Sequence, residues 1–136
     1  MASAVQNLPY ILPGVRLADV GTISGTLSGG GGYSSQDAVT ASTTQTQVGG
    51  TKICAAFTNV SSAASNDAIT LPQSVAGMSL TIINSSGQTI SIFPFKGDTI
   101  NAASKDAAVT AATATTSDYY CTKAGQWWGG ATTNEA

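Results

Sequence analysis

From Lys52 onward, apolar positions come in short runs that alternate with polar ones and are cut by turn residues. KICAAFTNV is rich in β-formers and half apolar, SSAASND is a loop, AITL is short and ends at Pro72, and QSVAG is a turn. In MSLTIIN the alternation puts Met78, Leu80 and Ile82 on one face. In TISIFPF it puts Ile90, Ile92 and Pro94 on one face and Phe93 and Phe95 on the other, since successive strand side chains point to opposite sides. Between the two runs lies Asn84-Ser85-Ser86-Gly87, where Gly87 can take the left-handed conformation, so a long antiparallel hairpin is predicted. Pro94 has no N–H for a ladder, so its strand should be an edge, bulged, or ending there. AAVTAATATT is alanine-rich, but its threonines and Val109 disfavour a helix, and it reads as a strand. SDYYC and QWWGG read as two strands joined by a turn at Lys123-Ala124-Gly125. The fold class predicted is all-β: a β-sandwich or jelly roll of short antiparallel strands over residues 37–130.

The first third differs in texture. LPYILPGVRLADVG holds two prolines that fix φ and remove backbone donors, and a run of four glycines, Gly29 to Gly32, follows. Residues 1–36 therefore read as an extended arm with a Gly-rich linker, and VRLADV and DAVTAS are candidates to pair as short strands on a brief alternation. Leu8, Tyr10, Ile11 and Leu12 are the arm's candidates for burial in a partner's groove. The tail 131–136, ATTNEA, is expected to be disordered.

Composition narrows the chemistry. Charged residues are 9 % of the 136-residue chain, against about 25 % in ordinary soluble domains. The net charge is −2, and the five basic residues, Arg16, Lys52, Lys96, Lys105 and Lys123, are scattered singly, which is no footprint for a nucleic-acid backbone. No run is long enough for a helical membrane span, and MASAVQNLPYILPG lacks the basic start and apolar stretch of a signal peptide, so synthesis in a cytoplasm is expected. Cys54 and Cys121 sit in apolar runs and read as reduced core thiols, with a disulfide between neighbouring strands as the alternative.

The chain has no histidine, which removes the usual Ser/His and Cys/His nucleophile pairs and most zinc sites. Asp98 and Asp106 are the nearest pair of carboxylates, but they read as turn aspartates bonded to backbone donors, and Lys96-Gly97-Asp98 reads as a corner of the sheet. No catalytic residue, metal ligand or cofactor is predicted, and the protein is expected not to be an enzyme. The adjacent Trp127 and Trp128 must face opposite sides of a strand, one in the core or a subunit interface, the other free to anchor a partner or a sugar ring. Phe93 and Phe95 are candidates for a second buried layer or a subunit contact.

The elements ITLPQSVAGMSLTIINSSG, TISIFPFKGDTIN, AAVTAATATTSDYYC and KAGQWW together resemble a pattern of small structural proteins of tailed bacteriophages. In that pattern a Leu-Pro strand, an "ITIIN" strand, an aromatic-Pro strand, "GDTIN", a Thr-rich strand, an aromatic-Cys strand and a Gly-x-Trp follow one another. The resemblance covers nearly half the chain, and AAVTAATATT departs from it in having few large apolar residues. It implies a capsid cement (head decoration) protein on the outer surface of the virion shell, bridging major capsid proteins as a homodimer or homotrimer. Its alternative is a tail-associated receptor-binding or fibre-tip module.

Overall fold

The computed structural model describes residues 34–132, with side chains through residue 130. The arm residues Leu8, Tyr10, Ile11 and Leu12, and the segment VRLADV, lie outside the described residues. Ten strands follow in order: β1 Ser35–Thr40, β2 Thr51–Lys52, β3 Phe57–Ser62, β4 Ala68–Thr70, β5 Ser79–Asn84, β6 Ile90–Phe93, β7 Thr99–Ile100, β8 Val109–Ala111, β9 Thr115–Lys123 and β10 Gln126–Thr132. The expectation of an all-β chain holds for the described residues, none of which is helical.

The expected jelly roll of antiparallel strands does not hold, because the fold is a β-solenoid. Through β9, consecutive strands alternate between two sheets, one in the order β1-β3-β5-β9-β10-β7 and the other β8-β6-β4-β2. β1, β3 and β5 stack in parallel on one side, while β2, β4 and β6 stack in parallel on the other. Each turn of the chain thus lays a rung on the previous one, with a repeat of about two dozen residues. Equivalent positions line up: Thr51 beside Ile69, Ile69 beside Ile92 and Ile92 beside Val109. After the third rung the chain reverses, and β8 and β9 pair antiparallel to β6 and β5 and cap the stack.

The predicted hairpin of MSLTIIN with TISIFPF is therefore wrong. Its face assignments are right: Leu80, Ile82, Ile90 and Ile92 are buried, and Met78 packs on the core. The pairing fails because Asn84-Ser85-Ser86-Gly87 is a corner that carries the chain from one sheet to the other. Asn84 turns inward there, donating to Gln88 O at 2.7 Å and to Ala111 O and Ala112 O at 3.0 Å each, while its own oxygen accepts from Ser86 N and Oγ. Two other single-strand readings are also split by corners. KICAAFTNV divides into the end of β2, a bend and β3; AAVTAATATT divides into β8 and the start of β9, with Ala114 left-handed at φ 60°. The β9–β10 hairpin forms as predicted, with Gly125 left-handed in its turn, and Ala131 and Thr132 of the expected tail belong to β10.

The core lies between the sheets. Val39, Val60, Leu80, Ile82, Tyr119 and Trp127 face Ile53, Ile69, Leu71, Ile90, Ile92 and Ala111. Cys121 is buried beside them, but Cys54 is exposed, so it is not the core thiol expected, and both are free thiols. The reason is local: Cys54 sits in the bend between β2 and β3, where Gln36 Oε1 accepts from its backbone N at 3.0 Å.

The core also holds Thr58 Oγ1, Ser117 Oγ, Tyr119 Oη and Trp127 Nε1, none with a protein hydrogen-bond partner. Burial pushes the Tyr119 phenol up to about 12; the neighbouring Ser117 hydroxyl acts against that shift without meeting hydrogen-bond geometry. A folded-state value above the unfolded value of about 10 means stability is intact below pH 10 and falls as pH rises beyond it. We predict that Tyr119→Phe leaves neutral-pH stability unchanged or raises it, since the hydroxyl makes no bond, and weakens the loss of stability above pH 10. Urea unfolding at pH 7 and pH 11 checks this; a loss above about 1 kcal/mol at pH 7 would mean the phenol has a partner.

Candidate functional site

The outer face of the six-stranded sheet gathers large apolar side chains in the open. Tyr120 is 53 % exposed, Phe57 48 %, Trp128 42 % and Ile83 39 %. Strand alternation produces this face: each of these residues neighbours an inward partner, Thr58 for Phe57, Ile82 for Ile83, Tyr119 for Tyr120 and Trp127 for Trp128. Register then brings them together. Tyr120 stands opposite both Trp128 and Ser79. One row over, Phe57, Thr81, Asp118 and Gly130 line up across four strands, and the row beyond holds Asn59, Ile83 and Thr116.

Polar bonds stiffen the same face. Thr81 Oγ1 donates to Asp118 Oδ1 at 2.8 Å, Asn59 Nδ2 to Asp37 Oδ1 at 2.8 Å, and Ser85 Oγ to Asn59 Oδ1 at 2.7 Å. Trp128 is held from behind by Gly129, at φ 137°, whose N donates to Asn101 Oδ1 at 2.9 Å and whose O accepts from Asn101 Nδ2 at 2.6 Å. A Cβ at Gly129 would fall onto the Asp118 carbonyl, so the strand approaches β9 as closely as only glycine permits.

A second feature lies on the other sheet. The loop 45–50 walls a cleft of about 160 Å³ lined by Gln47, Val48, Lys52, Thr70, Phe95 and Lys96. The loop is fixed at several points. Lys52 Nζ donates to Gln47 O, Val48 O and Gly50 O at 3.5, 2.8 and 3.2 Å, and Thr70 Oγ1 donates to Gln47 O at 2.7 Å. Gln47 Nε2 donates to Pro94 O at 2.9 Å and to Asp106 Oδ1 at 2.7 Å.

Lys96-Gly97-Asp98 is a joint. Asp98 is buried and accepts from Ser74 N at 3.0 Å, while Ser74 Oγ accepts from Gly125 N at 2.6 Å, tying three loops together. Asp106 accepts from Gly97 N at 2.6 Å, and that bond, the Gln47 amide, Lys96 and Lys105 hold its carboxyl below the ordinary range. Each carboxylate is occupied by amide donors, as the turn reading expects. Among the described residues no group of three or more His, Cys, Asp or Glu is placed to hold a metal ion.

The predicted contact residues are not brought together. Trp127 is core and Trp128 lies on the outer face; Phe93, half-buried, ends β6, and Phe95 is exposed at the cleft on the opposite sheet. Phe57, Ile83 and Tyr120 were not singled out from the sequence, although the argument that splits the two tryptophans applies equally to Tyr119 and Tyr120. No protein-family model, curated protein or solved structure matches the chain.

Proposed function

We propose that the protein is a structural protein of a tailed-bacteriophage virion: a capsid cement protein that binds and bridges major capsid proteins on the outer surface of the shell. The observation that carries this reading is the outer face with Phe57, Ile83, Tyr120 and Trp128 exposed on one hydrogen-bonded sheet. Exposed apolar side chains gathered on one face mark an interaction surface, and aromatic anchors dominate the energetics of such surfaces. The sheet is prebuilt, so docking costs little ordering entropy, and repetition around a shell multiplies weak single contacts. The resemblance of residues 67–128 to phage structural proteins supplies the class of partner.

Copy number in purified particles tests this. Cement requires many copies per head; a few copies confined to the tail would instead support a receptor-binding module, for which Tyr120 and Trp128 beside hydroxyl and carboxylate side chains would be a sugar-stacking platform. For the cement reading we predict that Tyr120→Ser with Trp128→Ser leaves the fold unchanged by circular dichroism but lowers shell occupancy at least about tenfold, as loss of two hot-spot anchors does. Full occupancy by the double variant would overturn the role of this face.

A further inference from the structure

We infer that the cleft between loop 45–50 and Phe95 is a docking site for an acidic, apolar peptide segment of the bound partner: one bulky apolar side chain inserted, with a neighbouring carboxylate bonded by Lys96 in the positive field of Lys52. This rests on the reading of the protein as a partner-binding structural module, and assigns that module a second contact on the opposite sheet from the aromatic face.

Size sets the kind of ligand. About 160 Å³ suits one side chain, being well below the roughly 300–1,000 Å³ of ordinary small-molecule sites. The walls are apolar and uncovered: Val48 is 76 % exposed, and Phe95 presents its ring from the corner after β6. The shape is preformed. Lys52 bonds three carbonyls of its own loop, Gln47 bridges to Pro94 O and Asp106, and the loop closes on a glycine pair in which a Cβ at Gly49 or Gly50 would strike Thr44 or Thr70. A site whose walls are already fixed needs little ordering when a ligand arrives.

Charge sets the ligand's sign. Two of the chain's five basic residues line this one cleft, and among the described residues no carboxylate does. Among the described residues the hydrogen bonds of Lys52 go to three neutral carbonyls, which occupy its N–H groups without cancelling its charge, so it lends the cleft a positive field. Asp106 stands nearby with one negative charge that acts on both Lys96 and Lys105, so it offsets the lysines only in part. In a chain with so few charges, a positive rim around an apolar slot selects for an anionic neighbour through complementarity.

The test is an NMR titration of the isotopically labelled full chain with the capped tetrapeptide Thr-Leu-Glu-Thr, alongside Thr-Leu-Gln-Thr and Thr-Ser-Glu-Thr. The expected result is shift changes confined to residues 47–52, 70 and 95–97, with binding weakened about fivefold or more by either control. Lys96→Glu should weaken binding of the acidic peptide and spare the Gln control, and Phe95→Ser should weaken both; the unliganded spectra report whether each variant is folded. Equal shifts for all three peptides, shifts elsewhere, or none at millimolar peptide would overturn the proposal. So would concentration-dependent shifts at these residues without peptide, which would mean a second copy fills the cleft. Because the titration uses the isolated protein and copy number is read on virions, failure of one leaves the other standing.

Discussion

Gly129→Ala should cost on the order of 3 kcal/mol or more and lower the melting temperature by roughly 10–20 °C. Two penalties combine. The backbone there has φ 137°, a conformation side chains rarely adopt, and the added methyl would land on the Asp118 carbonyl of the paired strand. The strand cannot move aside, because Asn101 grips Gly129 through both its N and its O. Gly130→Ala is the matched comparison: φ is 146°, but the nearest atom to a new Cβ is Asn101 Nδ2 at 4.0 Å, so only the conformational strain applies. Thermal unfolding of both variants separates close approach from strain. If the two variants melt together, the close approach is not what fixes glycine at 129.

Asn84→Ala should be nearly as damaging, about 3 kcal/mol in urea unfolding, although it removes only a few atoms. The side chain is 1 % exposed and is the hydrogen-bond partner of three carbonyls from two segments, Gln88 on one side and Ala111 and Ala112 on the other. A buried acceptor left without its donor costs about 1–3 kcal/mol. Asn84→Asp keeps the shape, replaces the donor with a charge facing those carbonyls, and should be at least as severe as the alanine. A carboxylate tolerated with less than about 0.5 kcal/mol of loss, the range of ordinary surface changes, would show that Asn84 does not hold the corner.

How much of this was legible depends on distance along the chain. Alternation placed Leu80, Ile82, Ile90 and Ile92 on inward faces and set Trp127 and Trp128 on opposite sides without saying which is the inner one, because side-chain direction relative to a neighbour is a local property. The turn at Gly125 was legible for the same reason. Pairing was not, because a short loop after MSLTIIN permits either a hairpin or a corner, and the choice rests on Asn84 finding carbonyls at residues 111 and 112. The solenoid left a faint trace: the buried strand followed by proline in AITLP returns in ISIFP, and those two segments stack as β4 and β6. Phe95, also a candidate, lies at the cleft on the opposite sheet; of the outer face, the sequence singles out Trp128 but not Phe57, Ile83 and Tyr120. Their assembly into one face depends on parallel register between strands about two dozen residues apart, to which composition and local alternation are blind.

The position of β9 has a consequence for the order in which the molecule comes into being. It runs between β5 and β10 in the middle of the six-stranded sheet, yet it is drawn from residues 115–123, near the end of the described chain. Until those residues are synthesised, β5 shows a bare edge on that side and the three rungs have no lid. Parallel stacking also means that loop-closure entropy must be met before any rung gains its contacts, the circumstance in which folding is slow and exposed edges invite misassociation. Apart from Phe57 and Ile83, the outward positions of β3 and β5 are Asn59, Ser61, Ser79 and Thr81, so that much of an immature stack shows hydroxyls and amides where a greasier solenoid would be adhesive.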